Sequence, residues 1–154
     1  MIRKKKEEEM KIFKPYLNQD FEKLKAECLR SGKLFEDDQF PASMKSIAKF
    51  RPPSDKIVWK RPHEIFDDPQ FVIDSFDSKD LDQGVLGNCW FIAAVIALAN
   101  NSEFIRLVVP DDQTFDKSSK NYCGIFHFRI WKHGEWFDCI VDDRLPCDSK
   151  SQLF

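Results

Sequence analysis

The spacing of apolar residues predicts a short amphipathic helix near the start of the chain. In "DFEKLKAECLR", from Asp20 to Arg30, the apolar positions recur at helical intervals, and Gly32 follows as a stop. Residues 34–71 are too apolar for a free linker and are interrupted by five prolines. They predict extended chain wrapped on a folded body. Three aromatic residues are predicted to anchor it: Trp59, Phe66 and Phe71.

A second apolar pattern lies in the middle of the chain. Residues 89–99, "CWFIAAVIALA", are apolar on nearly every side, which predicts a buried central helix with Asn88 as its N-cap. A further helix is predicted from Ser102 to Val108, ended by Pro110.

The pattern then changes from helical spacing to strict alternation. In "YCGIFHFRIW" one side carries Phe126, Phe128 and Ile130, while His127 lies on the other, facing the sheet or a cleft wall. "KHGE" predicts a turn, with His133 in solvent, and "WFDCIVDDRLP" predicts a returning strand ended by Pro146. A β-hairpin after a buried helix indicates the α+β class.

Composition and charge narrow the class of protein. With 154 residues, 42% of them apolar, the chain is long enough for one domain with a hydrophobic core. Its net charge of −2 gives no reason to expect a nucleic-acid partner. The longest apolar run is too short for a transmembrane segment, and no signal peptide is evident. Five cysteines without CxxC spacing argue against a disulfide framework or structural zinc, so a cytoplasmic location is expected.

The stretch "LDQGVLGNCWFIAA" combines the residue types of a nucleophilic site. At the first turn of a helix, Cys89 meets unpaired N–H groups and the positive end of the macrodipole, which favour a thiolate. Gln83 and the Cys89 backbone N–H suit an oxyanion hole, and Gly84 and Gly87 permit close backbone approach to a substrate. The alternative is that Cys89 is a small apolar residue beginning a buried helix.

A family resemblance favours the catalytic interpretation. "QGVLGNCWFIAA" is similar to the active-site segment of the calpains, which are papain-like, calcium-dependent cysteine peptidases. "LFEDDQFPAS", "IVWKRPHEI", "VVPDDQTF", "GIFHFRIWKHGEW" and "VDDRLP" also resemble calpain segments, in the same order. The resemblance implies a papain-like half-domain. The charge blocks at the start of the chain predict a charged flexible N-terminus over residues 1–12. The resemblance assigns residues 13–31 to an N-terminal anchor helix and 32–154 to the first half of the catalytic core.

The resemblance also implies roles for single residues. Cys89 matches the nucleophile and Gln83 the oxyanion-hole glutamine, while Gly87 and Trp90 match residues that shape the substrate cleft. Asn88 stands where many calpains have aspartate. The family's general base, a histidine oriented by an asparagine, lies far downstream of the cysteine, in the second half of the core. The three histidines of this chain are therefore not expected to be the base.

A calcium site is the other implied feature. Asp80 would give a carboxylate oxygen, and Ile73 and Ser75 would give backbone carbonyl oxygens, all of them ligands suited to a hard cation. Ser75 replaces a more usual glycine. The alternative interpretation of "DSFDSKD" is an exposed acidic turn.

The expected function is calcium-dependent limited proteolysis of intracellular proteins through a cysteine thioester. Expected partners are protein substrates, the second half of the core, and a regulatory subunit or inhibitor. Because "SKSQLF" breaks off within an apolar segment, we expect a chain truncated at its C-terminus that is inactive alone. A catalytically incompetent adaptor remains open, and a redox-responsive thiol protein ranks last. Asp142 and Asp143 are predicted to make local ion-pair or turn contacts, and Trp131 and Trp136 to pack across the hairpin.

Overall fold

The fold is organised around a three-stranded sheet. A computed structural model of the chain describes residues 12–47, 57–71, 88–148 and 153. The sheet contains β1 (Phe13–Pro15), β3 (Ile125–Lys132) and β4 (Glu135–Asp142) in the order β1-β4-β3. The β3–β4 pair is antiparallel, whereas β1 runs parallel to β4.

The β3–β4 hairpin confirms the two antiparallel strands that the alternating sequence pattern predicts. Its two connecting residues, His133 and Gly134, have φ angles of 52° and 84°. A two-residue turn with positive φ at both positions matches the twist of the flanking strands. Trp131 and Trp136 are register partners with ring centroids 5.4 Å apart, so the predicted cross-strand packing is confirmed. His133 is exposed, as expected.

The predicted end of the hairpin at Pro146 was wrong, because a second, two-stranded sheet begins there. Strand β4 ends at Asp142, and the chain then forms β5 (Leu145–Cys147), which pairs antiparallel with β2 (Val58–Lys60). Pro146 therefore lies inside a strand, opposite Trp59, and does not end one. A proline is tolerated in such a short strand because no central ladder depends on its missing N–H.

The predicted first helix is present as α1 (Phe21–Ser31). The Asp20 side chain caps it by accepting a hydrogen bond from the Lys23 N–H at 3.0 Å, and Gly32 ends it with φ 67°. Phe21 is buried, and Leu24 and Cys28 pack on the same core. That core also contains Phe35, Cys123, Ile125 and Ile140. Within 13–31, the segment predicted as an anchor helix, a strand and a 3-10 turn (Tyr16–Asn18) precede α1.

The described parts of the wrapped segment contain the short helix α2 (Met44–Ile47), β2 and a 3-10 turn at Pro62–Glu64. Phe71 is an anchor, since its ring lies 5.2 Å from that of Phe115 and 5.0 Å from that of Phe126. Trp59 is half-buried in β2. The prediction for Phe66 was wrong: its side chain is 52% exposed, whereas Pro62 in the preceding 3-10 turn is fully buried.

Two helices follow, α3 (Cys89–Ala99) and α4 (Ser102–Val108), with the bounds that the sequence predicts. The burial predicted for α3 was wrong. Ala99 is its one buried residue, whereas Trp90 is 69% and Phe91 48% exposed. An apolar sequence shows that a helix can be buried, but it does not determine which other part of the protein packs against that helix. The described residues leave much of α3 uncovered. None of the described helices is long and apolar enough to span a membrane.

Candidate active site

Cys89 is the first residue of α3, and its side chain is exposed. The first intrahelical bonds run from the N–H groups of Phe91 and Ile92 to the Asn88 carbonyl, at 2.9 and 3.1 Å. The N–H groups of Cys89 and Trp90 therefore precede the first intrahelical bond and point out of the helix end. Within the residues that the structure describes, no hydrogen bond occupies the Cys89 backbone N–H, so this group can donate to an incoming oxygen.

The environment of Asn88 differs from the prediction. Asn88 occupies the N-cap position, but its side chain makes no capping hydrogen bond. Its backbone, at φ −117° and ψ 22°, is not the extended conformation that aims a cap oxygen at the first turn. Among the described residues its Oδ1 is buried without a hydrogen-bond partner. The predicted cap chemistry is therefore wrong, although the helix begins where the sequence predicts.

Of the remaining predicted site residues, Trp90 alone lies in the part of the chain that the structure describes. Trp90 is described, and its indole is exposed beside Cys89, with the Phe91 ring 5.8 Å away in an edge contact. The other residues lie outside the described ranges: the oxyanion-hole candidate Gln83, the two glycines Gly84 and Gly87, and the calcium candidates Ile73, Ser75 and Asp80. The structure brings Cys89 and Trp90 together at one helix end.

The five cysteines divide into one exposed thiol and four shielded ones. All five are free, and Cys89 is the exposed one. Burial raises the pKa of the other four thiols: Cys28, Cys123, Cys139 and Cys147. A thiolate is the reactive form of cysteine, so a raised pKa disfavours reaction at those four thiols, whereas exposure favours reaction at Cys89.

The three histidines are engaged elsewhere. His63 Nε2 contacts the Phe115 carbonyl oxygen, and its ring meets that of Tyr122 edge-on. His133 lies in the exposed hairpin turn. His127 is held by two carboxylates. In the described ranges no hydrogen bond joins Cys89 to any of them.

The surroundings of His127 were not predicted beyond its position on β3. The residue is 4% exposed, with Nδ1 2.7 Å from Asp138 Oδ1 and Nε2 3.0 Å from Asp112 Oδ1. Burial alone would lower the pKa of His127, but hydrogen bonds to Asp112 and Asp138 outweigh it and raise that pKa. Burial would raise the pKa of Asp112, and its bond to His127 lowers it instead. The signal in the sequence was weak, because both partners are ordinary surface residue types.

The Asp142–Asp143 pair is structural. Asp142 makes the predicted local ion pair, with Arg144 Nη2 2.6 Å from its Oδ2. Asp143 instead pairs with distant residues, since its carboxylate contacts Arg61 Nη1 and accepts a hydrogen bond from the Tyr122 hydroxyl at 2.7 Å. Burial and the hydrogen bond to Asp143 raise the pKa of Tyr122 above its ordinary range. The prediction that both contacts are local was therefore wrong for Asp143.

Similarity to known proteins places this chain in a family of cysteine proteases. Residues 35–154 match the family described as "Calpain family cysteine protease". Over 144 residues the chain is 49% identical to the calpain-2 catalytic subunit of Mus musculus and 46% identical to the calpain-1 catalytic subunit of Gallus gallus. It is 44% identical to calpain-8 of Homo sapiens over the same length. Each alignment covers 90% of this chain.

The chain belongs to the calpain family of cysteine proteases. It spans about a fifth of the length of the relatives it matches, since each alignment covers 20% of the relative. The described elements, a mixture of helices and small sheets, are consistent with part of a calpain protease core.

Proposed function

We propose that this chain carries the nucleophile of a calcium-dependent cysteine endopeptidase that cleaves intracellular proteins at limited sites. The observation that carries the proposal is the exposed Cys89 thiol at the first position of α3, in a chain of the calpain family. The helix end provides N–H groups and a positive macrodipole, which favour both the thiolate and a developing oxyanion.

The proposed reaction is acyl transfer through a thioester. The Cys89 thiolate attacks the carbonyl carbon of the scissile peptide bond, and a carbon–sulfur bond forms. The Cys89 N–H and the Gln83 side-chain amide donate hydrogen bonds to the resulting oxyanion. The C–N bond then breaks, and a histidinium gives its proton to the departing amine. Water, deprotonated by the same histidine, hydrolyses the thioester and regenerates the thiolate. Gly87 and Trp90 shape the cleft that receives the substrate.

We propose that none of the three histidines of this chain is the general base. His127 is enclosed by Asp112 and Asp138, His63 contacts the Phe115 carbonyl, and His133 lies in the hairpin turn. The resemblance to calpains implies a histidine and an asparagine in a second half of the core. This chain alone is therefore expected to have no peptidase turnover. Turnover that disappears in Cys89→Ala would show that the present histidines suffice.

Calcium is proposed to bind the loop that precedes the nucleophile. The donor set consists of the Asp80 carboxylate and the carbonyl oxygens of Ile73 and Ser75, which fits calcium because hard cations prefer oxygen ligands. Bound calcium would supply fixed positive charge that favours one loop conformation, and it takes no part in the chemical steps. The described residues contain no cluster of three or more His, Cys, Asp or Glu that could hold a metal ion.

The proposed setting is the cytoplasm, and the proposed partners are protein substrates cut in extended segments. The second half of the protease core and a regulatory subunit or inhibitor complete the proposed partners. These follow from the calpain resemblance.

A chimera tests the proposal without depending on this chain alone. The matching stretch of mouse calpain-2 is replaced by this chain, and cleavage of casein is measured with and without calcium. The expected result is cleavage that Cys89→Ser abolishes and that Gln83→Ala lowers by about a hundredfold, as for loss of one oxyanion donor. Asp80→Ala is expected to raise the calcium concentration needed. Undiminished calcium dependence in Asp80→Ala would remove the proposed site.

One alternative has an observation in its favour. Because none of the three histidines is hydrogen-bonded to Cys89 within the described residues, the chain fits an adaptor that competes for calpain partners without cleaving them. A folded chimera that binds casein but does not cleave it, with or without Cys89→Ser, would support this alternative.

A further inference from the structure

His127, which has no role in the proposed peptidase reaction, makes contacts that join three separate parts of the chain. Its imidazole is sandwiched between elements that are distant in sequence: the Phe21 ring of α1 stacks on it, with centroids 3.7 Å apart and planes inclined by 10°. Asp138 of β4 contacts one ring nitrogen, and Asp112 contacts the other. Asp112 belongs to residues 110–116, here called the 110–116 loop, which follows α4.

Two carboxylates on two ring nitrogens define one protonation state. A carboxylate only accepts hydrogen bonds, so both contacts are satisfied when the ring carries a proton on each nitrogen. The neutral ring has one N–H, and its other nitrogen presents a lone pair to a carboxylate. The arrangement is therefore complete only with the imidazolium form.

The two carboxylates are not equivalent. The Asp138 side chain is 19% exposed and lies at 2.7 Å, whereas the Asp112 side chain is 45% exposed and lies at 3.0 Å. Water can solvate the Asp112 carboxylate when the bond is lost, but it reaches that of Asp138 less readily. Loss of the proton is thus expected at Nε2, with the Nδ1–H bond to Asp138 retained.

The same loop is tied to the β3 backbone by Gln113. Its Oε1 accepts from the His127 N–H at 2.9 Å, and its Nε2 donates to the His127 carbonyl at 3.0 Å. These bonds require the loop to lie against β3. The His127 N–H therefore reports directly on whether the loop is closed.

Other charged groups surround the imidazole. Asp20, the N-cap of α1, and Glu22 in its first turn line the cavity beside it, which has a volume of about 160 Å³. Lys25 donates to the Asp112 carbonyl at 3.0 Å and lies over the Phe21 ring. Arg129 lines the cavity from β3, and its guanidinium lies over the Phe13 ring. Among these groups, the two carboxylates in direct contact with the ring, Asp112 and Asp138, are the ones that favour its positively charged form.

We propose that His127 is a pH-sensitive latch that holds the 110–116 loop against the sheet when protonated and releases it when neutral. The Asp112 contact is the part of the latch that opens. Because the loop directly follows α4, and α4 packs against α3, the latch tethers the helical pair that carries Cys89. The latch stands on these contacts and does not depend on the chain being a peptidase.

Hydrogen exchange of the His127 amide, measured on the full chain from pH 5.5 to 9, tests the latch. Protection is corrected for the intrinsic pH dependence of exchange, and the ring titration is followed by NMR in the same sample. Protection is expected to fall about tenfold as the ring loses its proton, the equivalent of losing one hydrogen bond to a charged group. The NMR spectrum is expected to show the Nδ1–H tautomer at high pH.

Variants separate the latch from a general effect of pH. In Asp112→Asn the tenfold step is expected to disappear. Asp112 is chosen because its side chain is half-exposed, whereas replacing the buried His127 itself, as in His127→Gln, could prevent folding. In His133→Gln, which alters the exposed turn histidine, the step is expected to stay. A step that persists in Asp112→Asn, or a ring that titrates without any change in protection, would overturn the proposal.

Discussion

The guanidinium of Arg61 and the carboxylate of Asp143 form a buried ion pair across 82 residues of sequence. The Asp143 side chain is fully shielded, and it also accepts the Tyr122 hydroxyl bond. Arg61 Nη2 donates in addition to the Phe35 carbonyl at 3.0 Å. One charged pair thus joins the start of the 3-10 turn after β2, the end of β4 and the chain that follows α1.

Removing the cation from this pair is expected to be costly. Arg61→Ala leaves a shielded carboxylate without its counter-charge, so we expect the free energy of unfolding to fall by about 3–5 kcal/mol. Urea denaturation of the full chain measures it. Lys14→Ala is the control, because Lys14 and Glu135 form an exposed ion pair and should contribute less than about 1 kcal/mol. Equal losses in the two variants would contradict this account.

Gly124 is expected to be the least replaceable of the described glycines. It has φ 72°, and a Cβ built there would lie 2.6 Å from Arg61 Nη1 and 3.3 Å from Asp143 Oδ1. Gly124→Ala should therefore add a steric clash to the left-handed backbone penalty of about 1–2 kcal/mol. Gly32→Ala is the matched control, since Gly32 has φ 67° with nothing within 4 Å of a Cβ. Thermal unfolding compares the two, and a Gly32→Ala loss as large as that of Gly124→Ala would refute the clash.

The stability of the chain should fall as pH rises from the ordinary histidine pKa of about 6.5 through the raised pKa of His127. The pKa of His127 is raised in the folded state, so its contribution is fully present below the unfolded value of about 6.5 and is lost as pH rises through the folded value. Urea midpoints between pH 6 and 9 measure this decline. His127→Gln should flatten it, whereas His133→Gln should leave it unchanged. A decline of the same size in His127→Gln would assign the effect to other groups.

Alkylation should single out Cys89 among the five cysteines. It is exposed, whereas Cys123 and Cys147 are buried, Cys28 and Cys139 are half-buried, and burial raises the pKa of all four of these thiols. With limiting iodoacetamide at pH 7.5, peptide mapping by mass spectrometry should find Cys89 modified at least about ten times faster than any other cysteine. Cys89→Ser should leave the native chain nearly unlabelled. Comparable labelling of Cys28 or Cys139 would mean that their shielding is not maintained in solution.

Local patterns predicted the elements well. Helix α1 follows from apolar spacing between Asp20 and Gly32, and the hairpin follows from alternation around "KHGE". Cys89 at the start of α3 follows from the change from loop glycines to an apolar run. In each case the physical determinant lies within a few residues of the element, so the sequence carries it.

Contacts between residues that are far apart in the sequence could not be predicted from local patterns. Arg61 and Asp143 are ordinary charged residues whose burial depends on how the two sheets meet, and Asp112 reaches His127 only because the loop folds back on β3. The burial of α3 failed for a related reason, since apolar character does not specify what covers a helix. Pro146 was misjudged because the strand it belongs to pairs with distant β2.

The central claim, that Cys89 is an acyl-accepting nucleophile, is tested most directly by trapping the acyl group. The chimera with mouse calpain-2 is mixed with a peptidyl ester, quenched in acid within milliseconds, digested and mapped by mass spectrometry. The account predicts the acyl mass on the peptide that contains Cys89, and its absence in Cys89→Ser. Ester turnover without an adduct on Cys89, continuing undiminished in Cys89→Ser, would contradict it.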